Sequence, residues 1–260
     1  MANHNFPALD ADSLVDTRDA CHAYAGVLGG WTASCRQRRK HWWQLSLRPS
    51  LHGVTTDVIH ADGIHFELAL DLATNSVRGE IAGGGHVIET LCGQTAAELG
   101  GTIRDFLTSG GVDERFVPGT DASDGHEALD GSVRAAYSAE IAAGIAQTWR
   151  ELAAAYTAFQ AGIPEETSPI NLWPGHFDMA MMWLAGEKIP GQDPADEEYS
   201  DKQMNFGFSF GDGGIPEPYF YITAYPLPDA LPGLQLPGRA HWHTCLLYTS
   251  DAADESSRGL

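Results

Sequence analysis

The chain has 260 residues, 43% of them hydrophobic and 10% aromatic, which is enough apolar side chain to fill a sizeable core and excludes a wholly disordered protein. Acidic residues number 35 against 15 basic ones, a formal charge of -20, so the surface repels phosphate backbones and anionic lipid and neither nucleic acid nor membrane is an expected partner. The first twenty residues carry acids early and no apolar core of signal length, and runs such as MAMMWLA are too short to span a bilayer, so a cytoplasmic location is expected. Cys21, Cys35, Cys92 and Cys245 form no CxxC pair and read as free thiols, with Cys92 buried.

A first helix is predicted after Asp16 as N-cap, because Ala20, Tyr24, Val27, Leu28 and Trp31 recur at helical spacing before Gly29 and Gly30 end it. The basic run Arg36–Lys40 follows and reads as a solvated strand entrance, the alternative being an anion site. HWWQLSLRPSL alternates Trp43, Leu45 and Leu47 with Gln44, Ser46 and Arg48, the pattern of a half-buried strand. Within VTTDVIHADGIHFELALDL, Asp62-Gly63 supplies the positive φ angles of a type I′ hairpin turn, with Ile59, Phe66, Leu68, Leu70 and Leu72 inward. SVRGEIAG and HVIETL add two strands.

From Thr95 a second helix is predicted, with Leu99, Ile103, Phe106 and Leu107 inward and paired glycines at its end. An acidic loop, GTDASDGHEALDG, separates it from the strongest element. There Tyr137, Ile141, Ile145, Trp149, Leu152, Tyr156 and Phe159 lie 4, 4, 4, 3, 4 and 3 apart, one stripe along a long helix capped by Ser138 with Glu140 at its positive end. INLWPGHFDMAMMWL, MNFGFSFG and PYFYITAYPLP return to strand patterning, with the charged stretch GEKIPGQDPADEEYSDKQ between them. This grammar is α+β, a mainly antiparallel sheet carrying one long helix and two shorter ones. No internal repeat or linker divides the chain, and residues 1–244 are expected to form a single domain.

The tail breaks with all of this. After AHWHT, residues 245–260 follow neither strand alternation nor a helix stripe, and CLLYTSDAADE resembles the translation of a sequencing-library adapter. That resemblance implies a non-native tail on a C-terminally truncated fragment.

HWWQLSLRPSLHGVTT, FELALDL, LWPGHFDMA, NFGFSFGDGGIPEPYFYITAYP and HWHT together resemble an uncharacterised bacterial, largely actinobacterial, domain-of-unknown-function family marked by HWW, LWPxHFD and PEPYxY. The resemblance spans nearly all of residues 17–244. It implies no activity, and it implies a further strand and helix beyond the HWHT string.

Three groups of residues are candidates for chemistry. In LWPGHFD, strand alternation sends His176 and Asp178 to one face; as a pair they suit acid–base work, His176 carrying a proton and Asp178 orienting it, whereas the structural alternative has Asp178 tying down the Pro-Gly turn. An ionised Asp178 among Ala180 and Met182 must be paired or hydrogen-bonded. Tyr219, Tyr221 and Tyr225, with His41, Trp42, Trp173 and the Gly-rich-turn Asp212, are read as an aromatic pocket with hydroxyl handles for a small-molecule ligand, core packing being the alternative. In the hairpin, His60 faces His65 with Glu67 on the same side, the start of a zinc set if it is not an exposed polar pair; His241 and His243 form another same-face pair. No metal site is assigned, and the absence of GxxxxGK[ST], GxSxG, HExxH and GxGxxG leaves no cofactor implied.

Three functional readings follow: a small-molecule-binding domain, a metal-independent hydrolase or isomerase using His176 and Asp178, and a module whose acidic surface docks a basic partner. The sequence carries no signal for oligomeric state.

Overall fold

The computed structural model describes residues 6–9, 11–118, 136–196, 198–228, 235–238 and 240–242; the acidic loop at 119–131, His243 and the tail at 245–260 lie outside the described residues. Helix α1 (Ala11–Cys35) begins before Asp16, which is therefore not its cap, and runs through Gly29 and Gly30 instead of ending there. The reason is a contact with a distant segment. A Cβ at Gly29 would lie 2.7 Å from the Pro174 Cβ, so glycine at this point lets the helix lie directly against the Pro174 turn. Tyr24, Leu28 and Trp31 are buried as their spacing predicts.

The segment read as a strand at HWWQLSL is a 3-10 turn, Lys40–Leu45. His41 (φ 52°) and Trp42 (φ 58°) are left-handed, a conformation that costs a non-glycine residue about 1–2 kcal/mol and breaks extended alternation. Beyond it the first sheet assembles from β1 (Arg48–Pro49), β2 (Val54–Thr55), β3 (Ile59–Ala61), β4 (Ile64–Asp71), β5 (Ser76–Ile81) and β6 (His86–Thr90), in the order β1-β2-β4-β5-β6 with β3 also pairing β4. The predicted hairpin is present: Asp62 (φ 46°) and Gly63 (φ 86°) make the turn, and His60 stands opposite His65. Helix α2 (Ala96–Ser109) starts in a complete capping box, Thr95 with Glu98, and buries Leu99, Ile103 and Leu107, leaving Phe106 half-buried.

Helix α3 (Ala139–Gln160) carries the predicted stripe under its Ser138 cap, with Ile145, Trp149, Leu152 and Tyr156 buried. The second sheet comprises β7 (Glu166–Thr167), β8 (Asn171–Trp173), β9 (Asp178–Lys188), β10 (Asp201–Ser209) and β11 (Tyr219–Tyr225), ordered β11-β10-β9-β7 with β8 also on β9. INLWPGHFDMAMMWL thus makes two strands, not one, hinged by a turn at Pro174–Phe177. Every pairing in both sheets is antiparallel, and with the helices this gives the expected α+β class. Leu47 and Leu172 join the sheets by exchanging two backbone hydrogen bonds of 2.9 Å. Buried apolar residues of α1, α2, α3 and both sheets form one contiguous cluster. No helix among the described residues is long and apolar enough to cross a membrane.

The Gly29 contact sets a test whose sign distinguishes packing from propensity. In an unhindered helix Gly→Ala gains about 1 kcal/mol, but Gly29→Ala is expected to lose about 1–3 kcal/mol in urea denaturation because the methyl group meets the rigid Pro174 ring. A stabilised variant would show that the close approach is dispensable.

Candidate functional site

Asp178 opens β9, opposite Trp173 across the β8–β9 hairpin, and is only 7% exposed. The turn before it is tight: Phe177 donates its backbone N–H to the Trp173 carbonyl at 2.7 Å and adopts φ 55°. That twist buries the Phe177 ring against His22 (5.3 Å), Trp149 (5.2 Å) and Phe210 (6.1 Å) and directs the chain inward at Asp178. His22 also contacts the Gly175 carbonyl through Nε2 at 3.0 Å. His176 therefore lies in the turn and is exposed, not on a strand in alternation with Asp178 as the sequence suggested. It remains close enough to favour the ionised form of Asp178.

Asp178 draws its hydrogen bond from the far side of the sheet. Ala180, Gly207 and Tyr221 stand in one register row across β9, β10 and β11, and Tyr221 reaches over the middle strand to donate its hydroxyl to Asp178 Oδ2. Only glycine at 207 permits this, because a Cβ there would overlap the Tyr221 ring. The other carboxylate oxygen, Oδ1, is buried without a hydrogen-bond partner among the described residues. Burial raises the pKa of Asp178 above the ordinary carboxylate range, against the opposing influences of His176, the Tyr221 hydroxyl and its own amide. Tyr156 packs beside it, donating to the Met179 carbonyl at 3.3 Å, and burial followed by the Asp178 charge pushes its phenol pKa up.

A second carboxylate sits one tyrosine away. Tyr219 neighbours Tyr221, ring centroids 6.2 Å apart, and donates to Asp212 Oδ2 at 2.5 Å. Asp212 Oδ1 accepts the amides of Gly214 (2.7 Å) and Ile215 (2.8 Å) in the Gly-rich turn. Partial burial opposes ionisation of Asp212, but these bonds, with Arg18 beyond them, hold it below the ordinary range. Two carboxylates linked through adjacent tyrosines are thus driven in opposite directions.

The structure brings Trp173, Asp178, Tyr219, Tyr221 and Asp212 to one end of the second sheet and places the other predicted residues elsewhere. Buried His41 meets Asp201 Oδ2 at 3.3 Å, where Lys40 (3.2 Å) and Lys188 (3.0 Å) also converge. At about 3.3 Å per strand residue, Asp201 lies roughly 26 Å along β10 from Ser209. Trp42 turns under Arg38, 4.2 Å from its ring centroid. Tyr225 is at the His41 end, packed on Tyr199 at 4.9 Å and bonded by Gln192 at 3.2 Å.

The HWW segment reaches the site through Trp43, a residue the alternation pattern assigned to packing. Trp43 shares a shallow depression with Asn171, Trp173, Ala180, Met182 and Asn205, and its Nε1 is buried with no partner among the described residues. That depression has a volume of about 10 Å³, room for about one water, so at this place the aromatic pocket expected from the sequence is no more than a shallow dip. No group of three or more His, Cys, Asp or Glu side chains among the described residues is arranged to hold a metal. Cys21 is buried, and burial raises its thiol pKa; Cys92, read as buried, is exposed.

The model of a Family of unknown function (DUF5996) matches residues 6–249. The chain belongs to that family. The match covers both sheets and helices α1, α2 and α3, and it takes in residues 245–249, the first five after the change of composition. Neither a curated protein nor a solved structure matches the chain. Membership of DUF5996 brings no activity with it, so the chemistry rests on the side chains described above.

Three variants test the buried pair. Because burial raises the folded-state pKa of Asp178, the folded chain keeps a proton there that the unfolded chain loses near pH 3.9; stability contributed by this group falls as pH rises from about 3.9 through the folded value. Asp178→Asn is expected to flatten that fall, seen as a wild-type-minus-variant difference in urea stability that drifts against the wild type toward neutral pH; a constant difference from pH 4 to 8 would contradict it. Tyr221→Phe removes the one side-chain donor to Oδ2 and is expected to cost about 1–3 kcal/mol at neutral pH. Gly207→Ala should cost at least as much, because it evicts the whole ring.

Proposed function

We propose that the chain binds a small polar molecule on the tyrosine-bearing face of the second sheet, beside Asp178. The observation that carries this reading is a pair of buried groups of opposite polarity that have no hydrogen-bond partner among the described residues: the acceptor Asp178 Oδ1 and the donor Trp43 Nε1. Trp173 neighbours both, facing Asp178 across the hairpin and sharing the depression with Trp43. Native proteins rarely leave such atoms unmatched, since each costs about 1–3 kcal/mol, and a ligand that donates to Asp178, accepts from Trp43 and stacks on half-buried Trp173 would recover that cost. With no enclosed cavity the ligand lies on an open face, which limits the surface it buries and implies affinities of about 10 µM or weaker.

The raised pKa of Asp178 and the depressed one of Asp212 favour a second reading, acid–base catalysis on the bound molecule by Asp178, with His176 beside it at the exposed turn. Thermal-shift measurements against a metabolite set separate the two. Ligands that raise the wild-type Tm are expected to lose most of that shift in Trp43→Phe, which removes the indole N–H together with the pyrrole half of the ring, and in Asp178→Ala. In the catalytic case Asp178→Asn abolishes turnover of such a ligand while its shift largely persists. A set in which no compound shifts the wild type, or in which Trp43→Phe and Asp178→Ala respond as the wild type does, would rule out this face as the binding site.

A further inference from the structure

On the outer surface of the first sheet, far from the carboxylates in both sequence and sheet, the tip of the β3–β4 hairpin holds two histidines in direct contact. The Asp62-Gly63 turn fixes their register: Ala61 and Ile64 close the turn, and His60 and His65 form the next pair, the non-hydrogen-bonded type in which opposing side chains approach most closely. The far side of β4 is tied down as well, because the His65 carbonyl accepts the Ala82 amide at 2.8 Å. Both rings are exposed, yet their Nδ1 atoms stand 2.8 Å apart, with ring centroids at 4.6 Å and planes at 78°.

A spacing of 2.8 Å serves two purposes. One proton between the nitrogens makes it a hydrogen bond. Two bonds of about 2.0 Å meeting at a right angle on a metal ion would also place their nitrogens about 2.8 Å apart. We propose that His60 and His65 form a two-histidine clip for a borderline divalent transition metal of the copper or nickel type, ions that favour imidazole and square-planar or octahedral coordination. The ion replaces the shared proton, each ring swinging about 45° off the line between the nitrogens, a rotation the broad terminal torsion of an exposed imidazole allows. Glu67, next along the same face, is already held by the Thr55 hydroxyl at 2.6 Å, so the clip has two protein ligands and leaves the remaining positions to water or to an incoming donor.

Titration of the full-length chain with Cu²⁺ alone, followed by calorimetry and electron paramagnetic resonance, tests this. The wild type is expected to take up one equivalent more than H60A/H65A, with hyperfine structure from two imidazole nitrogens. His60→Ala and His65→Ala should each weaken that equivalent at least tenfold. Since the clip bridges β3 and β4, saturating Cu²⁺ should raise the Tm of the wild type by more than that of H60A/H65A. Equal stoichiometry in the wild type and the double variant, or a single variant that binds as tightly as the wild type, would overturn the proposal.

Discussion

The second sheet is organised around one buried carboxylate and the tyrosine that crosses a strand to meet it. Asp178 costs several kcal/mol to bury as an anion unless something donates to it. The donor, Tyr221, lies two strands away, and its reach fixes three other residues. Gly207 must lack a side chain, Ala180 and Tyr221 must share its register row, and Phe177 must adopt a left-handed conformation so that its ring turns into the core while Asp178 turns toward the tyrosine. Shifting any of these strands by one residue would send Tyr221 to the opposite face and leave the carboxylate bare.

The same logic explains the bend at HWW. Left-handed His41 and Trp42 carry a conformational cost, and the contacts that offset it are His41 on Asp201 and Trp42 under Arg38. The bend then delivers Trp43 to the second sheet and Leu47 to Leu172, where the two sheets join. Segments far apart in the chain, at 40–47 and 171–182, are thereby held as neighbours, and α1 fits against their turn only because position 29 has no side chain.

What could be read from the sequence was whatever is encoded locally. The α3 stripe needs only one-sided burial, α2 carries its own capping box, and Asp62-Gly63 dictates its turn whatever surrounds it. Errors arose where a distant partner decides. Gly29 and Gly30 look like a helix stop until Pro174 is placed, and HWW alternates like a strand until Asp201 claims His41. The candidate site was half legible for the same reason. Asp178, Trp173 and the tyrosines stand out by residue type, but the pairing of Asp178 with Tyr221 rests on the register of three strands, which no local pattern records. Alternation points to Trp42 and His41 and leaves Trp43 to packing, whereas the left-handed pair inverts that alternation and brings Trp43 to the second sheet.

Three acids on the second sheet show how differently this chain treats a carboxylate. Asp201 is as buried as Asp178, which opposes its charge, but hydrogen bonds from Lys188 and Lys40 hold it below the ordinary range. Asp212 is met by two backbone amides and a tyrosine. Asp178 is more deeply placed than Asp212, yet it receives one tyrosine on Oδ2 and, among the described residues, no hydrogen bond on Oδ1. An acid serving only to tie β11 to β9 would gain from a second donor, as Asp212 gains from the amides of its own turn and Asp201 from two lysines. Among the described residues the open valence at Asp178 Oδ1 lies near an indole N–H equally without a hydrogen-bond partner at Trp43, whereas the buried Oδ2 of Asp201 at least faces Lys40 and His41; an unmatched acceptor and donor near one another are the reason the binding function is proposed for this end of the sheet.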